Sequence, residues 1–188
     1  MVVAVKTFTV EDLLAMPDNG MRHELVRGEL IEMGLPGNRH GRLQLRVGRL
    51  LAEKIEDSGL GSVVTDVGAV ITREPATVLG PDVAVYLGRV GSPLDEPEGY
   101  TDTLPDIVVE IVSPGDSASE VDDKTHLYLD AGVRMVIAVW PKRGGVTVTM
   151  PDGITRDYGA DDVVDLSPVV PDLTMSVRSI FSGMVASG

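Results

Sequence analysis

Asp82, Glu110 and Lys124 are the residues of this chain whose types and spacing could together do hydrolytic chemistry. Glu110 sits inside PDIVVEIVSP, residues 105–114, where Ile107, Val108, Val109, Ile111 and Val112 put apolar side chains on both faces of a strand. With a period of two, Glu110 points the same way as Val108 and Val112, into the interior. An unpaired carboxylate there costs on the order of several kcal/mol unless a cation or a metal ion meets it. Upstream, GPDVAVYLG carries Asp82 into a second apolar strand directly after Pro81. If the two strands are neighbours, two carboxylates converge. That arrangement suits Mg²⁺ or Mn²⁺, since Mg²⁺ takes one or two carboxylates and keeps several waters.

A helix after the strand supplies the third group. From Glu110 to the turn at Pro114-Gly115 the strand advances by ~13 Å. A helix folding back from Asp116 recovers ~12 Å by Lys124. Lys124 therefore returns to the level of Glu110, where an ammonium can orient an attacking water and stabilise charge developing in phosphodiester cleavage. Tyr128 lies one turn further along the same face, within reach of the site. Other readings of these residues stay open. Lys124 could pair with Glu120 at i,i+4 on the surface, Glu110 could form a buried ion pair with Lys124, and Pro81-Asp82 could be a turn.

The elements that position these residues follow from local pattern. Residues 8–16 read as a short helix with Thr9 as N-cap and Asp12 closing a capping box, ended by Pro17, Asn19 and Gly20. RHELVRGELIEM reads as a hairpin turning at Arg27-Gly28, packed through Leu25, Leu30, Ile31 and Met33. Asn38 is placed as the N-cap of a long helix running to about Asp57, with Leu43, Val47, Leu50, Leu51 and Ile55 in one stripe. Arg39, Arg42, Arg46 and Arg49 gather in another stripe, and His40 falls at the N-terminal end of the apolar one. GSVVTDVGAVIT, DVAVYL, DIVVEIV and RMVIAVW read as strands, the last three central. DSASEVDDKTHLYLDAGV reads as a crossover helix opened by Asp116 or Ser117 and closed by Gly132. GGVTVTM and residues 151–167 are expected to be peripheral hairpin material, and PDLTMSVRSIF a last strand and short helix. The order implies an α/β (α+β) fold, a mixed central sheet flanked by helices with an N-terminal hairpin, as one domain over residues 1–188.

Composition narrows the chemistry. The 188 residues hold no cysteine, which excludes disulfides, thiolate zinc sites and cysteine nucleophiles. The net charge of -13 argues against a protein that coats nucleic acid through general phosphate neutralisation. No stretch approaches the ~18 apolar residues of a membrane span, and MVVAVKT has too short an apolar run for a signal peptide, so a cytoplasmic location is expected.

With these residues in view, the chain resembles the Uma-two family of restriction-endonuclease-like proteins within the PD-(D/E)xK nuclease superfamily. The resemblance is carried by RHELVRGELIEM, GNRHGRLQLRVGRLL, GPDVAVYL and PDIVVEIVSP with KTHLYLDAGVRMVIAVW, together most of residues 8–142. It implies a restriction-endonuclease-like core, with Asp82 and Glu110 as Mg²⁺ ligands and Glu24 as an additional acidic residue; Glu29 and Glu32 of the same hairpin are alternatives for that place. Val112 stands where the superfamily pattern has lysine, and the resemblance moves that lysine to Lys124. His40 resembles a histidine common at this point of the family and, with Arg39, Arg42 and Tyr128, is a candidate for contacting substrate.

The function so implied is Mg²⁺-dependent (or Mn²⁺-dependent) hydrolysis of phosphodiester bonds in DNA, with a homodimer as one way to cut both strands. The alternative is a catalytically inactive interaction or regulatory module, kept open by the negative charge and by only 2 Phe, 4 Tyr and 1 Trp.

Overall fold

A computed structural model describes residues 7–17, 20–88 and 99–183. The expected roles of Asn19 and of the first six residues fall outside these. Among the described residues, no helix is long and apolar enough to cross a membrane.

The central sheet has six strands in the order β10-β9-β8-β7-β6-β3. These are β3 (Gly61–Thr65), β6 (Val83–Leu87), β7 (Ile107–Ile111), β8 (Met135–Trp140), β9 (Gly145–Thr149) and β10 (Thr155–Tyr158). β7 and β8 run parallel and the other pairs antiparallel, so the sheet is mixed. The crossover joining β7 to β8 is α3 (Ala118–Ala131), as a parallel pair requires. Ser117 and Glu120 form its capping box, and Gly132 closes it at a φ of 117°, a conformation that favours glycine.

The two faces of this sheet are covered differently. Leu43, Val47, Leu51 and Ile55 of α2 (Asn38–Ile55) pack on Val83, Val85, Ile107 and Val109. On the opposite face, Tyr128, Leu129 and Val133 from α3 and the residues after it meet Val108 and Val136, along with Ala69, Ile71 and Leu79 of a second sheet. That sheet has the order β2-β1-β5-β4, from β1 (Arg22–Val26), β2 (Glu29–Met33), β4 (Ala69–Arg73) and β5 (Ala76–Leu79). Its outer side is closed by α1 (Val10–Leu14), through Val10, Leu13, Leu25, Val70 and Val78. A small pair, β11 (Val163–Asp165) with β12 (Thr174–Ser176), and α4 (Val177–Phe181) complete the fold around α2.

Two expectations change, and one strand is new. GSVVTDVGAVIT is not one strand: the chain breaks at Asp66, whose φ of 56° an aspartate tolerates, and β3 and β4 pair in different sheets. β5, four residues long, gave too short a pattern to read. Asn38 is the first residue of α2 rather than its cap; Gly37 holds the cap position without a side-chain bond. By contrast, Thr9 and Asp12 do form the capping box of α1, and Arg27 and Gly28 both take positive φ at the hairpin turn.

Candidate metal and active site

The register of β6 on β7 sets the first contact. Val83 lies opposite Val109 and Ala84 opposite Val108, so one step outward brings Asp82 beside Glu110. Asp82 is held on three sides. Its Oδ2 accepts the Ile111 N–H at 2.7 Å, its Oδ1 lies 2.8 Å from His40 Nε2, and its carbonyl accepts from Gln44 Nε2 at 3.0 Å.

Glu110 lies on the α3 side of the sheet, as alternation with Val108 requires. There Lys124 Nζ stands 3.1 Å from Glu110 Oε1, and the Tyr128 hydroxyl donates to the same oxygen at 2.7 Å. Lys124 also donates to Glu24 Oε1 at 3.0 Å, and that oxygen accepts the Gly80 N–H at 2.8 Å. Glu120 does not compete for the ammonium, because its side chain accepts from the Ser117 N–H in the helix cap. Of the three hairpin glutamates, Glu24 alone is buried and turned to the site; Glu29 and Glu32 are exposed.

These contacts set the electrostatics. Burial pushes the Glu110 carboxyl up to about 7, helped by the negative Asp82 and Glu24, while Lys124 and the Tyr128 bond pull it back. Burial works against the Lys124 ammonium, but Glu110 and Glu24 outweigh it and hold the group above its ordinary value. His40 is raised, chiefly by its bond to Asp82 and against the effect of burial. The Tyr128 hydroxyl is raised by burial and by the adjacent Glu110, so it stays a donor at neutral pH.

The carboxylates open into a cleft of about 660 Å³, to which Glu24, His40, Asp82, Glu110 and Lys124 all contribute. Two carboxylates from neighbouring strands fit a hydrated hard cation that takes few protein ligands. Among the described residues, no group of three or more His, Asp or Glu is placed to hold a metal ion. The carboxylate pair that the register brings together is Asp82 and Glu110.

Other candidates are placed elsewhere. Tyr128 is fully enclosed and reaches the cleft only through Glu110. Arg39 and Arg42 are not in the cleft wall: they donate to the Pro141 and Gly183 carbonyls. Gln44 was not singled out from sequence, although it stands one turn from His40 and interrupts an apolar stripe. It is buried and bonds both the Asp82 carbonyl and, at 2.7 Å, Asp66. Ser113, whose Oγ lies 3.4 Å from His40 Nδ1, gave no such signal in the sequence.

A family model described as "Putative restriction endonuclease" matches residues 10–178. The chain belongs to the Uma2 family. The Uma2 match spans Glu24, His40, Asp82, Glu110 and Lys124, so the whole constellation lies inside it. Among solved structures, the fold matches an Anabaena variabilis protein described as a "putative nuclease belonging to DUF820" with a TM-score of 0.78. That match covers 93% of this chain and 98% of the other at 20% identity, a level at which it speaks for the fold. A search of curated proteins gave no match.

Proposed function

We propose that this Uma2 protein is a divalent-metal-dependent endonuclease that hydrolyses phosphodiester bonds in DNA. The observation that carries the reading is the meeting of Asp82 and Glu110 across β6 and β7 with the Lys124 ammonium 3.1 Å from Glu110, in an open cleft. The family description and the nuclease of like fold support the substrate class. Asp82 and Glu110 would hold Mg²⁺ or Mn²⁺, which when bound acts as a Lewis acid toward the phosphoryl group and lowers the pKa of water.

The chain's own residues supply the rest. Lys124, fixed from behind by Glu24, donates toward the cleft and offsets negative charge building on the phosphoryl oxygens. The attacking water gives up a proton to solvent and bonds to phosphorus as the bond to the leaving sugar oxygen breaks, and the leaving oxygen takes a proton from solvent in the open cleft. Ile111 N–H and His40 hold the Asp82 carboxylate, and Tyr128 holds Glu110, so neither carboxylate has to be reoriented.

A second reading has its own support. Each acidic side chain of the cluster already meets a basic partner, Lys124 for Glu24 and Glu110 and His40 for Asp82. In an inactive module these pairs would be the whole purpose of the cluster. Incubating supercoiled plasmid with the protein and Mg²⁺ or Mn²⁺ separates the two. Cleavage that is lost in Asp82→Asn supports the nuclease, and no metal-dependent cleavage by the wild type contradicts it.

A further inference from the structure

Six acidic residues line the cleft: Glu24, Asp82, Glu110, Asp116, Glu120 and Asp123. Among the described residues lining it, Arg22 and Lys124 are the only arginine or lysine. Lys124 has little left to give a substrate. It already serves Glu24 at 3.0 Å and Glu110 at 3.1 Å, which leaves one of the three N–H donors of an ammonium. An anion entering between these acids needs a second donor.

Arg22, on β1, is held in position to be that donor. Its Nη1 donates to Asp66 Oδ1 at 2.6 Å, and the other oxygen of Asp66 accepts from Gln44 Nε2 at 2.7 Å. Asp66 does not line the cleft, so it fixes the guanidinium from outside. The Nη2 end lies against Gly80: a Cβ added there would stand 3.1 Å from Arg22 Nη2 and 3.6 Å from Glu24 Oε1. Gly80 thus leaves open the space between the guanidinium and the carboxylate that carries Lys124. Among the described residues, Nη2 has no hydrogen-bond acceptor, and the Arg22 side chain is 40% exposed. A guanidinium can give one corner of its planar fork to Asp66 and keep another for a ligand.

We propose that Arg22 is a substrate-binding residue whose Nη2 donates to a non-bridging phosphate oxygen lying over Gly80, between the guanidinium and the Lys124 ammonium. The proposal rests on the nuclease reading for its ligand, a DNA phosphate, and adds the contact that positions it. Glu24 faces the same space, but its Oε1 is covered by the Gly80 N–H at 2.8 Å and by Lys124 at 3.0 Å, which offsets its charge there. Asp66 acts through Arg22, as the group that orients it.

Fluorescence anisotropy of a labelled DNA duplex in low-salt buffer with EDTA reads this contact without cleavage. Arg22→Gln should lower affinity about ten-fold, the worth of one charge-assisted hydrogen bond. It should also flatten the slope of log affinity against log salt by about 0.9, one phosphate contact. Asp66→Asn weakens the same ion pair from the other side but leaves the guanidinium, so affinity should hold or rise. An Arg22 that served only to pair with Asp66 would make the two variants alike. Gly80→Ala puts a methyl group into the gap without changing charge, on a backbone outside the left-handed region, and should also lower affinity. Arg73→Gln removes a charge that does not line the cleft and should leave binding unchanged, and thermal melting checks that each variant is folded.

No binding of the duplex by the wild type, unchanged affinity in Arg22→Gln or Gly80→Ala, or an equal loss in Asp66→Asn overturns the proposal. If the wild type cleaves plasmid with Mg²⁺ and Arg22→Gln binds and cuts like it, the nuclease stands without this contact. Binding that depends on Arg22 in a protein that cuts nothing with Mg²⁺ or Mn²⁺ leaves the phosphate contact and removes the nuclease.

Discussion

Lys124 Nζ stands 3.1 Å from Glu110 Oε1, although the two residues come from a helix and a strand joined by a turn. The same ammonium holds Glu24 at 3.0 Å, so one cation serves two acids that are largely withdrawn from water. Replacing it with methionine, Lys124→Met, should therefore cost more than a surface ion pair would. The expected loss is about 3 kcal/mol in metal-free buffer, because both acids are left without their counter-charge. Urea denaturation measures it, and a loss under about 0.5 kcal/mol would mean that the cluster relaxes into water.

The Glu110 carboxyl, raised from 4.5 to about 7, binds a proton more readily in the folded than in the unfolded chain. Stability in EDTA should accordingly fall as the pH rises from about 4.5 to about 7, with the full contribution present below that window. Glu110→Gln resembles the protonated form and should remove this component. Wild type minus variant, followed by chemical denaturation across the window, checks the sign: the wild type must gain relative to the variant as the pH falls.

Tyr128 is enclosed and donates to Glu110 at 2.7 Å. Tyr128→Phe keeps the ring and deletes the donor. The expected loss is about 1–2 kcal/mol of stability in urea, together with a further rise of the Glu110 carboxyl, visible as a shift of the pH profile to higher values.

Gln44→Leu tests the support beneath Asp82. It leaves the Asp82 carbonyl and Asp66 without the amide donor, at 3.0 and 2.7 Å in the structure. A loss of about 1–2 kcal/mol and a weaker response to Mg²⁺ in thermal melting are expected. An unchanged Mg²⁺ response would show that Asp82 does not depend on this bond.

Much of the cluster was legible because its residues break local rules. A glutamate in a strand that is apolar on both faces announces itself, and strand rise against helix rise brings Lys124 back to its level. Glu24 was harder to choose among three hairpin glutamates. Adjacent Glu24 and Leu25 are both buried, on opposite faces of β1, so alternation alone does not say which face meets the site. The arginine stripe of α2 was legible as a stripe, but not its destination. The carbonyls that take Arg39 and Arg42 lie about 100 and 140 residues away, at Pro141 and Gly183. The two-sheet division at Asp66 was hidden for a similar reason. Partner strands, not the intervening sequence, decide where GSVVT ends and AVITR begins.

The central claim is that Asp82 and Glu110 together hold a divalent cation, and melting in a Mg²⁺ titration tests it most directly. Asp82→Asn is the comparison to use, since an amide oxygen can still accept the Ile111 N–H. The wild type should be stabilised by Mg²⁺ in a saturable way, by about 2.7 kcal/mol at a hundred times the dissociation constant. Asp82→Asn and Glu110→Gln should each lose most of that gain. A wild type that Mg²⁺ and Mn²⁺ do not stabilise, or a gain that survives in both variants, would contradict the claim.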